Sequence, residues 1–223
     1  MKTSYITSFI MIFGFAFLSG CNDSTSPSIS QENYSPLNTG DQLQLVEIAD
    51  SATQLFTVLG NIRRQDGTVV FAIQEKIGTH VTDTVYRFIR DGYLIATQID
   101  SVTWFTLPGN PFAEARIAKV NPTAGESWIQ TLSSPDTILI TATYIPTLTT
   151  MCGVLENVFA LTRTHYLNGQ KYVTGPEYYS NLIGLVGYDA ELFSFHSQWR
   201  ASYIKCGDIK MGSLWPDKEG PII

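Results

Sequence analysis

The stretch Tyr86-Arg-Phe-Ile-Arg90-Asp91-Gly92-Tyr93-Leu-Ile-Ala-Thr97 decides the fold class. Asp-Gly is the dipeptide a two-residue type I′ hairpin requires, because both central residues must take positive φ. Pairing outward from it sets Arg90 opposite Tyr93, Phe88 opposite Ile95 and Tyr86 opposite Thr97. One face then carries Tyr86, Phe88, Tyr93 and Ile95, the aromatic and β-branched mixture that packs well across strands and reads as a core surface.

Two further dipeptides of this kind lie between β-rich runs: Asp66-Gly67 and Asn168-Gly169. Treated as two-residue turns, they set Ile62 against Phe71 and Arg64 against Val69, then His165 against Tyr172 and Thr164 against Val173. Additional strands are expected over Gln42–Ile48, Val102–Leu107, Thr137–Ile145, Val154–Thr164 and Phe193–Lys205. Helical periodicity is confined to Phe112–Val120, which has room for two turns but is crowded by Pro108, Pro111 and Pro122. Short strands, hairpin signals and no βαβ spacing predict an all-β chain. The expected form is an antiparallel meander making a curved sheet or open barrel.

The chain has 223 residues, 44% hydrophobic and 15% charged, with a net charge of −6. That balance belongs to a folded domain. Its sign argues against nucleic acid, which needs a basic face. No run after residue 20 approaches the ~20 apolar residues of a spanning helix.

Residues 1–20 read as an address. Lys2 precedes an apolar run from Tyr5 to Phe17, and Leu18-Ser19-Gly20-Cys21 follows at once. This tetrad resembles the lipobox of bacterial lipoproteins, L-[AS]-[GA]-C, at every position. The resemblance implies that Cys21 becomes the first mature residue and carries a diacylglyceryl thioether, usually with an added N-acyl chain such as palmitate. Several acyl chains, at ~0.8 kcal/mol per buried CH₂, make such an anchor effectively permanent. Residues 22–35, rich in Ser, Thr, Asn and Gln, form a tether spanning ~20 Å as a flexible coil. The expected organisation is a signal peptide over 1–20, lipidated Cys and tether over 21–35, and a β-rich domain over 36–223. The expected location is the cell envelope, at the outer membrane, with the periplasmic or surface face left open.

Cys152 and Cys206 are the remaining cysteines. In an oxidising compartment an isolated pair tends to join, and this bridge would be worth ~4 kcal/mol of chain entropy. Two free thiols in separate strands are the alternative.

An internal echo is also present. Pro36-Leu-Asn-Thr-Gly40-Asp41-Gln-Leu43 returns, one residue shorter, as Pro122-Thr-Ala-Gly125-Glu126-Ser-Trp128. Together with Tyr34 and the run Tyr178-Tyr179…Leu182-Ile183-Gly184-Leu185-Val186-Gly187-Tyr188, these segments resemble a family of uncharacterised envelope lipoproteins of environmental bacteria. Their marks are Y-x-P-L-x-x-G-[DN]-x-W and G-[IV]-G-L-V. The resemblance implies a β-rich envelope lipoprotein and brings no catalytic residues.

Chemistry is sparse. None of His80, His165 and His196 has a second ligand at metal spacing, and neither a metal nor a cofactor is expected. His165, two residues before a turn, reads as an exposed cross-strand neighbour of Tyr172. Ser127 lacks the glycine a nucleophile elbow needs, since Ile129 stands there. Glu156, Glu177, Asp189 and Glu191 are scattered acids; as a pair within reach of a sugar they would suit glycoside cleavage. Tyr178, Tyr188, Phe195 and Trp199, with Tyr179, Phe193 and Tyr203 nearby, are dense enough to line a ligand groove. Tyr178 and Tyr179 point to opposite faces of one strand, so at most one is expected in the core. The tail Gly212–Ile223 ends apolar and suits either a last edge segment or a partner contact.

The leading expectation is a non-enzymatic, lipid-anchored β-domain that binds or scaffolds something in the envelope. The alternatives are a carrier sheltering an acyl chain or other apolar ligand in a concave sheet, like the lipoprotein-localisation factors, and a secreted hydrolase.

Overall fold

The computed structural model describes residues 38–97, 114–133, 136–167, 170–181, 183–192 and 195–217. In chain order the strands are β1 (Gln42–Glu47), β2 (Thr53–Arg63), β3 (Val69–Ile77), β4 (His80–Arg90), β5 (Tyr93–Thr97) and β6 (Glu114–Lys119). They continue as β7 (Ser127–Ser133), β8 (Asp136–Thr150), β9 (Gly153–Leu167), β10 (Gln170–Ser180), β11 (Gly184–Leu192), β12 (Phe195–Cys206) and β13 (Ile209–Gly212). The order across the sheet is β6-β5-β4-β3-β2-β1-β12-β11-β10-β9-β8-β7, antiparallel throughout. Twelve strands thus curl into a nearly closed barrel with one open seam, between β6 and β7. The all-β expectation holds. The helix allowed over Phe112–Val120 does not: Glu114–Lys119 is β6, paired residue by residue with β5. The strand expected over Val102–Leu107 lies outside the described residues.

The Asp91-Gly92 hairpin forms as read, with φ of 53° and 74° and all three expected pairs in register. The pairs around Asn168-Gly169 are also as expected. Around Asp66-Gly67 the register differs by one: Ile62 faces Val70 and Arg63 faces Val69. The reason is the turn. Gly67 donates to the Arg64 carbonyl, the Arg64 and Thr68 backbones pair, and only Gly67 takes positive φ. This is a three-residue loop ending in a left-handed glycine, so the strands slide by one position.

The echo noted in the sequence is a shared structural device. Gly40 (φ 86°) donates to the Val58 carbonyl, and Val58 donates to the Asp41 carbonyl. Gly125 (φ 81°) donates to the Ala142 carbonyl, and Ala142 donates to the Glu126 carbonyl. Each acidic side chain also closes its own turn, Asp41 accepting from the Asn38 amide and Glu126 from the Thr123 amide. One launches β1 into its pairing with β2 and the other launches β7 into its pairing with β8. The equivalent of the β1–β12 junction is therefore the β6–β7 seam, where the barrel stays open.

Two clusters of buried apolar side chains form, bridged by Phe56 and Leu185. The larger, with Val58, Ile73, Leu94, Trp128, Ile140, Phe159, Leu161 and Tyr179, fills part of the barrel interior and crosses the seam, where Tyr93 meets Trp128 edge-on at 6.1 Å. The second joins the far end of the β8–β9 hairpin to β10–β13 through Leu155, Val158, Tyr178, Val186, Ala201 and Ile204. Tyr178 and Tyr179 are consequently both buried, 8% and 7% exposed, against the expectation that at most one would be. The face Tyr86/Phe88/Tyr93/Ile95 forms only a small third cluster with Val70, because the alternate face of β5, through Leu94, meets the main core.

Cys152 and Cys206 are free thiols, and the expected bridge is not formed. The Cys152 amide donates to the Ala201 carbonyl, whereas Cys206 lies five positions further along β12, ~16 Å at strand rise. A disulfide needs Cα atoms within ~7 Å. Burial pushes the Cys152 thiol pKa up, which further blunts its reactivity.

The tail packs as a last segment. β13 pairs with β12, and both backbone groups of Trp215 hydrogen-bond the fully buried Gln44 side-chain amide, at 2.7 and 3.0 Å. A side chain at Gly212 would put its Cβ 2.0 Å from the Ser202 carbonyl oxygen, so only glycine lets this strand close up.

Arg64 ties the 64–68 turn to β5 and β6. Its guanidinium pairs with Asp66 and Glu114, donates to Thr97 at 2.8 Å and lies over the Phe88 ring. The side chain is 1% exposed and that of Glu114 7%. Arg64→Ala would strand Glu114 with only the exposed Arg90 for compensation, and is expected to cost about 3 kcal/mol in urea unfolding. Hydrogen bonding to Arg64 also holds the Asp66 carboxyl well below the ordinary range. The stability this contributes is present above pH ~4 and lost as pH falls below it, a slope that Asp66→Asn should flatten.

Candidate cavity site

Twelve strands enclose more room than the apolar core fills. A cavity of about 610 Å³, open to solvent on one side, remains in the barrel, lined from β2 by Gln54 and Phe56, from β3 by Glu75 and from β4 by Arg87. Facing these are Ile117 of β6, Arg163 and His165 of β9, Glu177 and Tyr179 of β10, and Leu185, Tyr188, Asp189 and Ala190 of β11. Arg87 also borders the apolar floor made by Leu43, Val58, Ile73 and Leu94. β10 reaches β11 closely here because a side chain at Gly175 would meet the Asp189 carbonyl oxygen at 2.0 Å.

Most polar groups of the wall are spent on one another. Arg163 donates to both oxygens of Glu177, at 2.9 and 2.7 Å, and to the Ile117 carbonyl at 2.8 Å. That last bond crosses the interior and satisfies an acceptor of β6, the strand that borders the seam. Burial works against the Arg163 charge, yet the Glu177 carboxylate outweighs it and raises the pKa. Tyr179 donates to Glu177 at 3.0 Å. Tyr188 donates to Gln54 at 3.0 Å, and Gln54 in turn donates to Glu75. Burial first, and then the charges of Glu75, Glu177 and Glu47, raise the Tyr188 pKa, so this hydroxyl stays protonated. Asp189 accepts from Tyr178 at 2.7 Å and from Arg200 at 2.6 Å. Burial and that carboxylate push Tyr178 up to about 12.

Two buried nitrogens of the wall are left over, Arg87 Nε and His165 Nε2. Glu75 has the Gln54 amide but no cation among the described residues. The expected groove residues divide accordingly. Tyr188 lines the cavity, and Trp199 stacks on it at 5.7 Å with an interplanar angle of 16°. Tyr178 belongs to the second core, under Arg200. Phe195 opens β12 opposite Leu192. His165 pairs with Tyr172 as expected but lines the cavity instead of standing fully exposed. Its pKa is lowered by burial and then by the Arg163 charge. Arg87, Glu75 and Gln54 carried no signal in the sequence beyond alternation on strands whose inner face could not be named in advance.

The geometry offers little for hydrolysis. Glu177 and Asp189 both line the cavity, but each is neutralised by an arginine and bonded by a tyrosine. A glycosidase pair needs one carboxyl that carries a proton and one free to attack or activate water. Ser127 is exposed and hydrogen-bonds Thr141 at 3.0 Å. Glu156 is exposed as well. Compared with known proteins, the chain matches no family model, no curated protein and no solved structure.

Two outcomes follow from this wall. Arg163→Met leaves a carboxylate unpaired and the Ile117 carbonyl unbonded, and should cost about 3 kcal/mol with faster amide exchange in β5 and β6 than in β2. Because the folded pKa of His165 lies below its unfolded value, the unfolded chain binds the proton more readily. Stability should therefore fall as pH drops from about 6.5 toward 5, and His165→Asn should remove that part of the slope in melting curves.

Proposed function

We propose that this chain is a lipid-anchored protein of the bacterial cell envelope whose barrel binds a small polar molecule in its interior cavity. The observation that carries the reading is the cavity of about 610 Å³, within the size of small-molecule sites, with polar side chains converging on it from six strands. The anchor rests on Leu18-Ser19-Gly20-Cys21 and the apolar run before it, supported by the polar tether and by the resemblance to envelope lipoproteins. An acyl chain or other apolar ligand suits this interior poorly, since Glu75, Arg87, Arg163 and Glu177 would lose hydration against it without gaining partners.

Each half has its own test. Replacing Cys21 with Ala should move the protein from the carbonate-washed membrane fraction to the soluble one; retention in the membrane contradicts the anchor. Native mass spectrometry of protein purified from its producing cells should show a small-molecule adduct released on denaturation. Ala190→Trp, which projects bulk into the cavity, should abolish the adduct. An adduct that survives this change would place the ligand elsewhere.

A further inference from the structure

From the distribution of spent and unspent charges, we infer that the cavity takes a short peptide with both ends free, its carboxylate on Arg87 and its ammonium on Glu75. The inference rests on the binding reading above and gives that site its ligand class.

Arg87 is the anion receptor. Its guanidinium has no ion pair or hydrogen-bond partner among the described residues, and its Nε is buried. It sits where the polar cavity meets the apolar floor of Phe56, Ile73, Leu94 and Leu185. Arg87 is half-buried beside apolar surface, where a partner for its charge is favourable, and the planar fork of arginine matches a carboxylate. The other arginine of the wall, Arg163, is paired with Glu177 and bonded to the Ile117 carbonyl. His165 Nε2, the second unpartnered nitrogen, adds a neutral hydrogen-bonding group for the ligand's backbone.

Glu75 is the cation receptor. Gln54, itself held by Tyr188, fixes one carboxylate oxygen and leaves the other free. Of the three carboxylates lining the cavity, Glu177 and Asp189 already have arginines. A plain dianion such as phosphate would face Glu75 without compensation. A zwitterion meets both unspent charges at once.

Length follows from the ladder. Arg87 lies opposite Phe71, four positions from Glu75 on β3, ~13 Å at strand rise. Two long side chains leaning inward shorten that span to what two or three residues bridge at ~3.5 Å each. Phe56, Ile117 and Leu185 offer apolar contact for an aliphatic side chain.

The test is isothermal titration of the purified full chain with alanyl-leucine, alanyl-alanyl-leucine, N-acetyl-alanyl-leucine, alanyl-leucine amide, inorganic phosphate and laurate. The free peptides should bind, and blocking either end should weaken binding about 30-fold or more, as should Arg87→Gln and Glu75→Gln. Melting curves guard against misfolding: removing an unpaired interior charge should leave the melting temperature unchanged or raise it. Equal binding of the N-acetyl peptide, or binding of phosphate, would reduce the site to a simple anion receptor and overturn the zwitterion. Binding of laurate alone, or of nothing in the panel, would overturn the peptide class. The cavity reading itself stands or falls separately, on the adduct and its loss in Ala190→Trp.

Discussion

A barrel's width is set by its strand number, and everything distinctive about this protein follows from twelve. Eight strands give an interior that side chains fill; sixteen leave an aqueous channel. Twelve fall between. The large apolar cluster of Val58, Ile73, Trp128, Ile140 and Phe159 fills part of the lumen, and the rest remains as the cavity. That remainder cannot be lined by unsupported polar groups, so the wall is built from mutual pairs: Arg163 with Glu177, Asp189 with Arg200, Tyr188 with Gln54 and Gln54 with Glu75. Against this background of compensation, the bare guanidinium of Arg87 stands out as a group awaiting a partner.

The seam is the second consequence. The matching Gly40-Asp41 and Gly125-Glu126 turns start equivalent strand pairs, and the β1–β12 junction that closes on one side has its counterpart in β6 and β7, which do not hydrogen-bond. Exposed strand edges invite foreign pairing. Here the edge is managed by side chains: Arg163 takes the Ile117 carbonyl, Lys119 pairs with Glu126, and Tyr93 packs on Trp128. The same arginine therefore lines the cavity and braces the opening, which couples the site to the most weakly held part of the barrel.

Much of the fold was legible because it is local. Asp91-Gly92 dictated its turn and its register, and the Gly-acid echo marked two strand starts. The sequence was less informative where a choice depended on distant partners. Asp66-Gly67 looks the same as Asp91-Gly92, yet Arg64, pulled in by Glu114 and Thr97, closes a three-residue loop against Thr68 and the pairs shift by one. Tyr178 and Tyr179 alternate across the strand as they must, but both are buried because the β8–β9 hairpin supplies a second core on the other face. Cys152 and Cys206 both reach β12, too far apart along it to bond. Of the expected groove only Tyr188 and its stacked neighbour Trp199 meet the cavity region. The charged residues that define the cavity sit on strands where a polar residue ordinarily marks the solvent face. Only the closure of the sheet turns that face inward.

The claim that most depends on this closure is that Arg87 faces an open, ligand-sized cavity with its charge uncompensated by the protein. Nitrogen-15 NMR of the arginine Nη–H₂ groups in the ligand-free protein addresses it directly. Arg163, locked to Glu177, should exchange slowly with water, and Arg87 markedly faster. Equal protection of the two would mean that Arg87 is paired within the protein and the barrel is filled, contrary to this account.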